Sequence, residues 1–190
     1  MKPAIIIDLD GTLLRTNTFS DYILYSCCQS LRFFRLDLVF LLLLFSLLRK
    51  LRIISHARMK YHILRHTTTF MQQQNRLQSF VTKELSHENP TVISHFHHYT
   101  SQSYLTVLAT AAPSLYAELI ASHYHFDHCL ATPPATIPYT EWRENKCQEK
   151  LHNVQKTLTS ANAEISVVIT DHFDDQPLLD ANREGRNIVL

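Results

Sequence analysis

Hydrophobic and polar positions run in blocks whose period changes along the chain, and the first block is the shortest. Ile5, Ile6 and Ile7 follow Ala4 without interruption, and so short a β-branched run predicts a fully buried strand. It ends in Asp8-Leu9-Asp10-Gly11-Thr12. Beyond Leu14 the spacing turns helical. Phe19, Ile23 and Cys27 would share one helix face, with Thr18 at the cap and Asp21 as its partner three residues on. Residues 33–48, FFRLDLVFLLLLFSLL, are apolar apart from Arg35, Asp37 and Ser46, and the basic cluster Arg49, Lys50 and Arg52 follows. A spanning helix needs about 20 apolar residues, so this one is short. Its leading reading is a buried or substrate-covering helix, with a membrane-associated helix and a partner interface as alternatives. From Ile53 to about Ser86 the pattern is helical and more polar, with Leu77, Phe80, Val81 and Leu85 as a stripe, until His87-Glu88-Asn89-Pro90 breaks it.

A different regime begins near Pro90. Val92, Ile93 and Phe96 predict a short helix, and Ser103 to Ala109 a strand ending at Thr110-Ala111-Ala112-Pro113. Pro113 is placed to open a helix faced by Leu115, Leu119 and Ile120. Cys129 to Ala131 suggests a short strand, and Pro133, Pro134 and Pro138 mark a loop. Thr140 is the expected cap of a helix reaching about Ser160, with Cys147, Leu151, Val154 and Leu158 in register. Ile165 to Ile169 forms another buried strand, ending at Thr170-Asp171-His172-Phe173-Asp174-Asp175. A last helix near Pro177 and a strand at Asn187–Leu190 complete the pattern. Strands alternating with helices predict an α/β fold, a Rossmann-like parallel sheet covered on both faces. The helical block at 15–88 reads as an insertion into a core made of residues 1–14 and 89–190.

Composition narrows this little. The 190 residues carry a formal net charge of +1, and no basic-aromatic stripe or Walker-type loop is present, so nucleic acid is not an expected partner. The four cysteines, Cys27, Cys28, Cys129 and Cys147, show no C-x-x-C spacing and read as free thiols of a reducing compartment, the cytoplasm. The first apolar run is too short, and too quickly followed by aspartates, to read as a signal peptide. With only two glycines in the chain, Gly11 is conspicuous.

Asp8 and Asp10 lie two apart on extended backbone, so both side chains leave the strand tip on the same side. Two adjacent buried carboxylates repel, and a divalent cation or an acid–base role relieves the conflict. Three predicted strands end in polar residues: Asp8 and Asp10, Thr110, and Asp171 with Asp175. In an open parallel sheet the carboxyl ends of the strands form the ligand crevice. Carboxylates meeting there imply a hard cation, Mg²⁺ best of all, and the helix at 141–160 offers Lys146 and Lys150 to balance charge.

Together these motifs resemble those of the haloacid dehalogenase-like (HAD) hydrolase superfamily, and the helical insert resembles the cap of its phosphoserine-phosphatase-like branch. The resemblance implies a Mg²⁺-dependent phosphatase acting on a small phosphorylated metabolite. It makes Asp8 the nucleophile and Asp10 the acid–base, with Thr110 and a helix lysine holding the phosphoryl oxygens; Leu151, Val154 and Leu158 follow Lys150 as the resemblance implies for its motif lysine, with Lys146 the alternative. Asp8, Asp10 through its carbonyl, Asp171 and Asp175 would form or support the metal site. A binding or membrane-peripheral module, catalytically weak and anchored by the 33–48 helix, is the alternative. His123-Tyr124-His125-Phe126-Asp127-His128 matches a zinc-ligand motif of metallo-β-lactamase-like hydrolases, but that fold needs preceding strands and glycine-rich turns, so surface histidines are expected here. The same holds for His95, His97 and His98.

Overall fold

A computed structural model describes residues 1–183 and 185–190. β1 (Lys2–Ile7), β2 (Leu105–Pro113), β3 (His128–Thr132), β4 (Ala163–Thr170) and β5 (Arg186–Val189) form one parallel sheet in the order β3-β2-β1-β4-β5. The chain builds outward from β1 to β3, then returns to the other side of β1 to add β4. The strand order therefore reverses at β1, and such a reversal opens a crevice at the carboxyl ends of the strands. Strand alternation sends Ile5 and Ile7 into one core and Ala4 and Ile6 into the other. The larger core is closed by α1 (Thr18–Arg32), α2 (Leu36–Lys50), α3 (His56–Gln72), α4 (Arg76–Leu85), α5 (Pro90–Ser101) and α6 (Ser114–Tyr124). The smaller is closed by Val154 and Leu158 of α7 (Gln148–Ser160) and Leu178 of α8 (Gln176–Ala181). The α/β sheet with helices on both faces is thus as the sequence predicts, and the four cysteines are free.

Four local expectations change. Asn17, not Thr18, caps α1: its side-chain oxygen accepts from Ser20 N at 3.0 Å, while Thr18 N donates to Asp10 instead. The buried stripe of α1 is Phe19, Tyr22, Ser26 and Ser30, with Ile23 and Cys27 at its half-buried margin. α7 starts at Gln148 rather than Thr140, because the preceding segment is held by bonds to distant backbone. Asn145 Nδ2 donates to Thr110 O (3.0 Å) and Leu130 O (2.8 Å), and Trp142 Nε1 donates to Pro133 O (2.9 Å). Finally, the apolar 33–48 stretch is not a buried helix. α2 buries Leu38 and Leu42 and leaves most of its other large apolar side chains in solvent. Among the described residues no helix is long and apolar enough to cross a membrane.

The excursion from β1 to α5 leaves and returns at one place. Arg15 N donates to His87 O at 2.8 Å and Asn89 N to Leu13 O at 2.9 Å, so the outgoing and incoming strands of chain are tied side by side. Asn89 then caps α5 by accepting from Thr91 N, with Pro90 in the first turn where no backbone donor is needed.

Candidate active site

The tip of β1 delivers Asp8 and Asp10 into a cavity of about 440 Å³ at the carboxyl end of the sheet. Thr110 reaches the same cavity from β2, Lys150 from the first turn of α7, and Asp171, Asp174 and Asp175 from the turn after β4. Residues separated by most of the chain length are therefore neighbours around one space.

Lys150 lies at the centre. Its side chain is almost wholly buried, its Nζ donates to Asp8 Oδ1 at 2.9 Å, and it stands 2.5 Å from Asp175 Oδ1 as an ion pair. Asp175 Oδ2 accepts from Thr170 Oγ1 at 2.7 Å, which fixes the carboxylate that faces the lysine. Burial works to lower the ammonium's pKa, but Asp8 and Asp175 together override it and hold the pKa above the ordinary lysine value. One ammonium serves two carboxylates, so negative charge is left over. Burial, opposed by Lys150 and reinforced by Asp175 and Asp10, pushes Asp8 up to about 7. Burial also raises Asp10, although its Oδ1 accepts from Thr18 N at 2.8 Å.

Lys146 takes a different place. It is partly exposed and pairs with Asp174 Oδ2 at 2.7 Å, and His172 Nδ1 lies 2.9 Å from the same oxygen. Between the two lysines the sequence offered, Lys150 is the one beside Asp8. Thr110 is buried, and its Oγ1 accepts from Ala112 N at 3.0 Å.

Gly11 adopts φ +73°, and a Cβ there would overlap Oδ2 of Asp171. The glycine thus serves both the turn and the close seating of Asp171 over the backbone. Asp171 Oδ1 accepts from Thr12 Oγ1 at 3.1 Å. Among the described residues no three His, Cys, Asp or Glu side chains form a ready-made metal cage. The donor chemistry still fits Mg²⁺, which binds through one or two carboxylates and keeps water and phosphate oxygens for the rest. Asp8 and Asp171 supply hard oxygens on one cavity wall, and the excess negative charge around Asp8 favours a cation.

Sequence reasoning missed the opposite wall. Lys60 of α3 donates to Ala111 O at 3.0 Å and pairs with Glu144, and His56, Arg15 and Phe19 complete that side. Lys60 carried a signal: it sits among Met59, Tyr61, Ile63 and Leu64 on a helix face that is otherwise buried. Glu144 carried none. In the histidine-rich segment, Asp127 binds Thr106 through N (2.8 Å) and Oγ1 (3.0 Å), so it fastens β2 to the start of β3.

The sequence model of the haloacid dehalogenase-like hydrolases matches residues 5–180. A search of curated proteins gives no match. Among solved structures, a protein of unknown function from Bordetella pertussis Tohama I superposes with TM-score 0.68 at 16% identity, over 99% of this chain and 98% of that one. A phosphoserine phosphohydrolase-like protein from Francisella tularensis subsp. tularensis SCHU S4 gives TM-score 0.56 at 16% identity, over 95% of this chain and 82% of that one. A phosphoserine phosphatase in a phospho-aspartyl intermediate analogue form gives 0.56 at 11%, over 98% and 92%. At these identities the structures establish a shared fold.

Proposed function

The chain belongs to the haloacid dehalogenase-like hydrolase family, and we propose that it is a Mg²⁺-dependent phosphatase that cleaves a small phosphomonoester through an aspartyl-phosphate on Asp8. The observation that carries this reading is the ion-paired Asp8–Lys150–Asp175 array beside Asp10 and Thr110 in one cavity. Lys150 engages Oδ1 of Asp8, which leaves Oδ2 for attack on phosphorus. As the new O–P bond forms, the bond to the leaving oxygen breaks, and the Asp10 carboxyl gives that oxygen its proton. Burial raises the affinity of Asp10 for that proton, the direction that general-acid work requires. In the second half Asp10 accepts a proton from water as the water attacks phosphorus, and Asp8 is released. Lys150 and the Thr110 hydroxyl hold phosphoryl oxygens while charge redistributes. Asp175 positions Lys150.

Asp8, the Asp10 carbonyl and Asp171 would hold Mg²⁺, with Asp175 supporting the site from behind the lysine. When bound, the cation supplies positive charge to the phosphoryl oxygens and to the crowded carboxylates. We assign residues 15–88 to a cap and residues 1–14 with 89–190 to the catalytic core. The return of the chain beside its point of departure, and the reach of Lys60 and His56 into the cavity, support that division. The cap excludes bulk water from the phosphoryl group.

Release of phosphate from an aryl phosphate with Mg²⁺ tests the assignment. Asp8→Asn should lower the rate by about a thousandfold or more. Equal rates in the two proteins would remove Asp8 from the chemistry.

A further inference from the structure

Among the described residues the outer face of α2 has no partner, and the catalytic reading gives it no role. Phe34, Leu36, Phe40, Leu43, Leu47 and Leu51 are between 53% and 88% exposed. Positions 36, 40, 43 and 47 fall on one side of the helix, so these side chains form a continuous apolar strip along it. Leu38 and Leu42, on the opposite side, pack into the core. A contiguous exposed apolar strip rimmed by polar residues marks an interaction surface.

We infer that this face docks on the surface of a lipid bilayer bearing anionic headgroups, with α2 lying in the plane of the interface. Charge is the first argument for that occupant. Between Leu24 and Ile53 five basic side chains, Arg32, Arg35, Arg49, Lys50 and Arg52, stand against one acid, Asp37, so this stretch carries +4 while the whole chain carries +1. Asp37 is already engaged by Arg35, through bonds of 2.9 and 2.7 Å. All five basic residues are exposed, and they lie at the two ends of the strip. There their long stems can lie along the apolar surface while their charges meet phosphate groups.

The second argument is the make-up of the strip. Its four central positions are leucine and phenylalanine alone. A specific protein interface of this size carries hydrogen-bonding groups in register with its partner, and these positions offer none. Length decides the mode of attachment. Fifteen residues of helix extend roughly 22 Å, short of the about 30 Å hydrocarbon layer, so the helix lies on the membrane rather than through it. His56, which begins α3 shortly after the end of α2, lines the active-site cavity, and none of the strip's side chains does.

Flotation with vesicles tests this without reference to hydrolysis. The wild-type chain should float with vesicles of phosphatidylcholine mixed with phosphatidylglycerol, bind phosphatidylcholine alone far less, and lose binding as salt is raised. Phe40→Glu with Leu43→Glu should weaken binding by about tenfold or more. Arg49→Ser, Lys50→Ser and Arg52→Ser together should abolish the preference for anionic vesicles. Both variants should keep the wild-type circular dichroism and aryl-phosphate hydrolysis, because neither touches the core or the cavity. Absence of binding to either vesicle overturns the inference, as does binding that the glutamate substitutions leave unchanged. Light scattering supplies the remaining outcome: a dimer in solution that Leu43→Glu dissociates would assign the strip to a second copy of the chain and overturn the bilayer.

Discussion

Lys150 shows how much one side chain can decide. Its ammonium is the positive charge between Asp8 and Asp175, and both its burial and its pKa follow from that position. Lys150→Met should lower hydrolysis by about a hundredfold or more. It should also cost about 3 kcal/mol in urea denaturation, because it leaves two buried carboxylates facing each other. Replacing Lys146, which pairs with Asp174 at the cavity rim, should cost far less in both measurements. The lysine was legible because apolar residues after it mark the buried side of a helix. The pairing of Lys60 with Glu144 was not, because it joins positions 84 apart in sequence that no local pattern connects.

Glu84 makes a separate prediction. It is fully buried in α4, neither carboxylate oxygen is hydrogen-bonded among the described residues, and burial, aided by Asp21, pushes its pKa up to about 7. The native state therefore holds a proton that the unfolded chain releases near pH 4.5, and stability falls as pH rises from there through about 7. Glu84→Gln removes this loss. Thermal melts should show the variant close to wild type at acid pH and more stable, on the order of 1–3 kcal/mol, at pH 8. A stability difference that does not change with pH would contradict the assignment.

At the scale of elements, strands were easier to read than helix starts. A buried parallel strand advertises itself as an unbroken apolar run, and β1, β2 and β4 were all visible in that way. The start of α7 was hidden. Helical spacing upstream of Gln148 is overridden by Asn145, whose side chain bridges the backbones of β2 and β3. That bridge fixes the segment leading to Lys150. Asn145→Ala should cost about 2 kcal/mol by leaving the Thr110 and Leu130 carbonyls short of a donor. Hydrolysis should fall with it, even at temperatures where the variant is fully folded. The exposure of the apolar run of α2 was not legible for a simpler reason: one continuous leucine-rich helix looks the same in sequence whether its second face meets a core or solvent.

At the scale of the molecule, the sheet order explains why the site lies where it does. Strand order reverses at β1, so the carboxyl ends of β1, β2 and β4 open on a common crevice, and the polar residues that end each strand share one cavity. The convergence was legible because it follows from topology. The opposite wall was not, because it depends on how α3 returns over the sheet. Helices α1, α4 and α6 meet through a shared aromatic cluster of Tyr22, Phe80 and Tyr116, with ring centroids 5.2 to 5.7 Å apart. The central claim is that Asp8 carries the phosphoryl group during turnover. Acid quenching during hydrolysis of an aryl phosphate with Mg²⁺, followed by peptide mapping, measures this directly. The account predicts a phosphoryl group on the peptide containing Asp8 and none in Asp8→Asn; a phosphoryl group on another side chain, or undiminished turnover in Asp8→Asn, would contradict it.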